Sequence, residues 1–305
     1  MTAVLSVLQT VLPVLLALSL GMLCREKKLL SRSGVDALKT VAVNIALPAV
    51  LLDSFATAQY DRASLLVPAI MFAVCCLGLI IGMGFSKLLN LGKIPAFLAT
   101  GFEAGMLGYA LFALLFPNEP TSHFAIVDLG QVLFVFTVYK AMLYEKNDRS
   151  AVVKDIVSSP IIWAIAAGVL IGATGLYGLM ERANISGVFN ALTSFVSAPT
   201  GMIILLVVGY DLDLRQISFK DTAIFIVLRL VIMGILLLLV LGLNRFILGG
   251  MMHTGAVLLM FLLPPPYVLP VFSTDEAQRS SISSALSALT LVTMALFAVL
   301  AATIA

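Results

Sequence analysis

"LLPPPYVLPVF", residues 262–272, decides the fold of this chain. It is flanked by the apolar run "MMHTGAVLLMF" (251–261) and, a few polar residues later, by "SSISSALSALTLVTMALFAVLAATI" (280–304). Proline lacks a backbone N–H and clashes with the preceding turn, so three in a row plus Pro270 must stop a helix here. Open backbone at membrane depth survives only where it is buried in protein or lines a cavity. The stretch therefore reads as a spanning helix that is meant to be broken.

The composition makes lipid the solvent. Hydrophobic residues make up 61% of the 305 and charged residues 11%, against roughly 25% charged in soluble domains. The mean hydropathy is +1.11. A formal net charge of +2 and the lack of a long basic tract argue against a nucleic-acid partner. Cys24, Cys75 and Cys76 match neither a zinc pattern nor a disulfide framework and read as small apolar filler. No Lys or Arg precedes Arg25, so the first apolar run lacks the basic start of a signal peptide and reads as a retained span.

Segments of about 20 apolar residues are needed to cross a bilayer. Ten candidates lie near 4–23, 35–55, 64–90, 94–116, 122–144, 156–178, 188–210, 222–248, 251–272 and 280–304. Period-2 alternation is absent, which argues against a membrane barrel. Loops after odd-numbered spans hold fourteen Lys and Arg, those after even-numbered spans only Arg62, Arg182 and Arg245, and Arg229 lies inside span 8. Such a bias places the basic loops in the cytoplasm and both termini outside it, in the cell (inner) membrane.

The midpoint falls at the polar "YEKNDRSAVVKD" (144–155). Five spans on either side give a first repeat over 1–145, a linker over 146–155 and a second repeat over 156–305. An odd number of spans per half makes the second repeat inverted, a common way to build a secondary transporter. Corresponding spans then match in kind. Span 4 carries "GFEAGMLGYALF" (101–112), rich in glycine, and span 9 carries the proline run; spans 2 and 7 carry Pro48 and Pro199. Paired interruptions of this sort point to a binding site at the bilayer centre.

Residues 42–52, "AVNIALPAVLL", and the Gly-x-x-Gly segment "EAGMLGYA" (103–110) resemble the auxin efflux carrier family of membrane transporters, whose fourth span carries an "NTGFLGIP"-like stretch. The proline-centred span 9 and the Ser/Thr-rich last span are similar too, so the resemblance runs the length of the chain. It implies an all-α integral membrane fold of ten helices, with broken helices 4 and 9 crossing near the bilayer centre. It also implies a scaffold domain and a transport domain. Bacterial members are thought to move organic anions such as malate or malonate, and plant members export auxin. Glu103 stands where the family commonly has Asn, and Ala110 where it commonly has Pro.

Candidate substrate contacts are Asn44, Gly105, Gly108, Pro265, Pro266 and Tyr267; candidate ion-coupling residues are Glu103, Asp128 and Gln131. Glu103 lies ten residues beyond Lys93, hence roughly 15 Å into the bilayer. An ionisable group at that depth is a functional hypothesis by default. Burial and nearby half-helix N-termini pull its ionisation in opposite directions, which suits proton coupling. Sodium ligation and structural pairing with Arg229 or Lys140 are the other readings. The half-helix N-termini themselves read as the anion site.

Asn44 either touches substrate or bonds the carbonyl freed by Pro48. Asp128 and Gln131 share one face of span 5, as an inward pair or a helix–helix bond. Tyr267 reaches the site with its hydroxyl or packs as an aromatic. Arg229 and Lys140 read as snorkelling cations and His253 as an isolated interfacial residue. His-Glu-x-x-His, Gly-x-Ser-x-Gly and Walker-type motifs are absent, and His123 and His253 lack an evident acidic partner, so an enzyme is not expected. The expectation is a secondary transporter of a small organic anion coupled to H+ or Na+, without cofactor, with the bilayer and a second copy in a homodimer as partners. A sensor that keeps the carrier fold and binds without transporting is the alternative.

Overall fold

A computed structural model describes residues 2–58, 60–143, 154, 157–212, 219–267, 269 and 276–304. The linker expected over 146–155 lies outside them apart from Lys154, as does Pro270. No strand occurs among the described residues. Helix α1 (Thr2–Glu26) is followed by α2 (Arg32–Val41), which passes through a π-helical turn (Ala42–Ala46) into α3 (Leu47–Ala56). The wide turn sits directly before Pro48, where the helix has one N–H fewer to close its ladder. Next come α4 (Arg62–Leu88), the short α5 (Ile94–Leu98), a π turn (Ala104–Gly108) leading into α6 (Tyr109–Leu115), and α7 (Ser122–Phe134) with its continuation α8 (Lys140–Leu143). The rest comprises α9 (Pro160–Ala173), α10 (Leu176–Arg182), α11 (Ser186–Ser197), α12 (Thr200–Asp211), α13 (Phe219–Phe246), α14 (Thr254–Leu262) and α15 (Glu276–Ile304).

Seven described helices are long and apolar enough to cross a membrane. An eighth span arises if α9 and α10 count together, although they meet at 62°. Sequence expects one span over 156–178; Gly175, at φ +72°, instead lets the chain turn sharply there. The two remaining expected spans, 94–116 and 251–272, are not continuous helices. The first is interrupted between Leu98 and Ala104, and the second stops at Leu262, two residues before Pro264.

Apolar side chains gain nothing by leaving lipid for each other, so membrane helices associate where small residues let backbones close in. Three pairs follow that rule. Gly21 on α1 faces Gly209 on α12: a Cβ on Gly21 would lie 2.1 Å from the Leu206 carbonyl oxygen, and one on Gly209 would lie 2.1 Å from that of Leu18. Gly168 on α9 meets α3 at the Leu52 carbonyl, and Gly130 on α7 meets α4 at the Pro68 carbonyl. Substituting Gly21 with Ala is expected to destabilise the protein by about 1–3 kcal/mol through forced separation of α1 and α12. Gly84→Ala, where a new Cβ meets nothing within 4 Å, should change stability by less than about 0.5 kcal/mol. Thermal unfolding of the two variants in the same detergent checks this; equal melting temperatures would refute close packing at Gly21.

Candidate functional site

The two interruptions meet. Gly101 adopts φ +71°, a left-handed conformation that L side chains rarely take. It must also be small, because a Cβ there would stand 3.1 Å from the ring of Pro266. Two residues on, the Glu103 N–H donates to the Pro264 carbonyl at 2.8 Å, a backbone bond between the interruptions. Phe102 and Phe261 pack edge to face beside it, with ring centroids 5.1 Å apart.

Opening two helices inside an apolar medium strands backbone donors on one side of each break and acceptors on the other. One charged side chain serves each set. The Glu103 carboxylate accepts the Met106 N–H through Oε1 at 3.1 Å and the Tyr267 N–H through Oε2 at 2.6 Å. It thereby ties a free amide after one break to a free amide after the other. On the acceptor side Arg229, only 4% exposed, donates to the carbonyls of Leu98, Gly101 and Leu263 at 3.0, 2.8 and 2.6 Å. These carbonyls close α5 and α14, so the guanidinium also meets the negative ends of both helix dipoles. Arg229 does not snorkel, and it does not pair with Glu103, since each is engaged by backbone instead. The flat five-donor guanidinium is the group that can serve three carbonyls at once.

A cavity of about 380 Å³ opens on one side of the crossing, lined by Lys39, Leu47, Glu103, Gly105, Tyr109, Asp128, Gln131, Pro266 and Tyr267 among others. Asp128 and Gln131 are 2% and 4% exposed. Asp128 accepts the Tyr109 hydroxyl through Oδ2 at 3.1 Å, and the Gln131 amide donates to the Phe102 carbonyl. Their other oxygens, Asp128 Oδ1 and Gln131 Oε1, are buried without a hydrogen-bond partner in the protein. A second cavity of about 360 Å³ lies beyond Met106 and Tyr267, and a third of about 550 Å³ lies beyond Tyr109 and holds Asp53, Ser54, Ser197 and Thr200 in its wall.

Of the residues singled out in the sequence, Glu103, Gly105, Asp128, Gln131, Pro266 and Tyr267 therefore come together at one cavity. Gly108 and Pro265 are buried beside it; a Cβ on Gly108 would lie 2.6 Å from Phe124, so its smallness serves packing. Asn44 is exposed and is not among the residues lining that cavity. The Tyr267 hydroxyl bonds Thr290 Oγ1 at 2.8 Å, while its backbone N–H makes the contact at the crossing. Nor is His253 isolated: Nδ1 caps α14 by accepting the Ala256 N–H, the ring stacks on His123 at 5.0 Å, and Glu119 Oε2 lies 3.9 Å from Nε2. The acidic partner the two histidines lacked on sequence is thus Glu119, bonded to His123 at 3.1 Å.

Sequence reasoning passed over Asp53, whose carboxylate accepts the Thr193 hydroxyl at 2.8 Å beside the third cavity. The signal was present, because Asp53 is an acid inside the apolar run "LPAVLLDSFA".

No family model matches the chain. It is 26% identical over 238 residues, 73% of its own length and 74% of the relative's, to an uncharacterized transporter of the archaeon Methanothermobacter thermautotrophicus. The chain is a multi-pass helical membrane protein similar to that transporter.

Proposed function

We propose that this protein is a secondary active transporter of a small organic anion, coupled to H+ or Na+ and working by alternating access around the crossing. The carrying observation is the crossing itself: two interrupted helices bonded break to break, with cavities on different sides of Met106, Tyr109 and Tyr267. The similarity to a transporter and the resemblance to auxin efflux carriers support the same reading. The helix pairing favours a ten-helix inverted repeat, because α1 packs on α12 as α9 packs on α3, exchanging first and second spans between halves.

The coupling ion acts at the oxygen cluster. Buried polar atoms seldom stay unpartnered, so Asp128 Oδ1 and Gln131 Oε1 call for a proton or a cation. With the Glu103 carboxylate in the same cavity wall, a desolvated Na+ would find oxygen ligands from Glu103, Asp128 and Gln131; a proton would settle on a carboxylate. The scheme is tested by anion accumulation in proteoliposomes under an imposed proton or sodium gradient. Gradient-driven uptake is expected, and Asp128→Asn, which keeps the bond to Tyr109 but not the charge, should reduce it at least about tenfold. Uptake that ignores both gradients in the unmodified protein would sink the coupled-transport reading; ligand-induced stabilisation without accumulation would turn it into a sensor.

A further inference from the structure

We infer that Lys39, together with the hydroxyls of Ser283 and Ser287, binds the carboxylate of the transported anion. This rests on the transporter reading above and moves its anion site away from the backbone N–H groups at the breaks. Those amides already hold a carboxylate, that of Glu103. A substrate carboxylate brought there would compete for the same donors and face a like charge, so the positive charge that attracts it must come from elsewhere.

The cations near the crossing are few, and most are engaged. Arg229 is buried against three carbonyls. Arg32 is bonded to Asp211 and lies 3.4 Å from Asp36. Lys140 rests 4.5 Å over the ring of Phe136. Lys39, half-buried on α2, makes no ion pair among the described residues and lines both the 380 Å³ cavity and the 360 Å³ cavity.

The second cavity complements that ammonium. Ser283, Ser287 and Thr290 recur along one face of α15 and line it with Lys39, and Tyr267 lines both cavities. Thr290 donates to the Leu286 carbonyl and so receives the Tyr267 hydroxyl hydrogen, which leaves the two serine hydroxyls as the adjustable donors. One ammonium and two hydroxyls form a donor set for a carboxylate; the same wall holds the Arg32–Asp211 pair, whose charges offset each other, and a cavity of about 360 Å³ has room for a small organic acid. Tyr267 joins this pocket to the ion cluster, because it lines both cavities, its N–H holding Glu103 and its hydroxyl bonding Thr290.

The test is a thermal-shift titration of the purified full chain with malonate, malate and acetate, and with malonamide as the uncharged control. Saturable stabilisation by a carboxylate and none by malonamide is expected. Lys39→Gln should weaken that apparent affinity about tenfold or more, and Lys39→Arg should keep it within about threefold. The double variant Ser283→Ala/Ser287→Ala, which keeps every charge, should weaken it severalfold, and ligand-free melting temperatures show that each variant is folded. If a carboxylate stabilises the unmodified protein and folded Lys39→Gln equally, Lys39 is not the anchor, although the anion reading stands. If none of the three acids stabilises the unmodified protein, the anion reading fails and this inference with it.

Discussion

Replacing Glu103 with Gln should reduce gradient-driven uptake at least about a hundredfold and lower the melting temperature by several degrees. The carboxylate accepts two backbone N–H groups from residues on different broken segments, Met106 and Tyr267. An amide of the same shape has one accepting oxygen, so its NH2 group is turned against one of those donors in whichever orientation it adopts. Hydrogen bonds to charged groups contribute about 1.5–3 kcal/mol each, and a buried N–H without a partner costs free energy on top of that. One kcal/mol corresponds to about 2–4 °C in a protein of this size class. The functional loss is larger, because the variant also removes the charge that the coupling cation or proton must meet. Glu103→Asp separates the two effects: it restores the charge with a shorter reach, so ion dependence should return further than stability. Wild-type melting and gradient dependence in Glu103→Gln would show that the carboxylate does not hold the breaks together.

Arg229→Met is expected to be the most destabilising single change at the crossing. Methionine fills much of the same volume but leaves the carbonyls of Leu98, Gly101 and Leu263 without donors, in a position closed to water. Each unsatisfied buried group costs about 1–3 kcal/mol. Partial relaxation of the breaks brings the expected total to about 3–5 kcal/mol, read as a fall of roughly 6–20 °C in melting temperature. Lysine keeps the charge but concentrates it on one flexible ammonium that cannot serve three spread carbonyls, so Arg229→Lys should recover less than half of the loss. A melting temperature within about 2 °C of the unmodified protein for Arg229→Met would overturn this assignment.

Depth along the chain was legible where pairing across it was not. The proline run at 264–266 and the glycines around Gly101 announced interrupted helices, because each acts on its own backbone: proline withholds an N–H and glycine permits φ +71°. Glu103 was conspicuous for the same local reason, an acid ten residues past the last lysine of its loop. Its partners were not, since Tyr267 lies 164 residues away and offers a backbone N–H that any residue type would offer. Glu103 was already expected beside the half-helix N-termini; what the sequence did not show is that its carboxylate takes the amides of Met106 and Tyr267 for itself. Arg229 was read as a snorkelling cation because its depth is visible in sequence and its direction is not; packing of α13 against α5 and α14 turns it inward. Likewise, Glu119 and His123 are neighbours in sequence, but His253 joins them only because α14 starts beside α7.

By itself, then, the sequence determined that the chain lives in lipid, that its structure is helical, and where two of its helices must open. Those properties follow from transfer free energy and backbone chemistry, which are summed locally along the chain. Only the tertiary structure decided that the openings bond to each other, that Glu103 serves both sets of free amides, and that Arg229 serves both sets of free carbonyls. Satisfying stranded backbone groups in a medium without water is a matter of three-dimensional proximity, and distant residues meet it together.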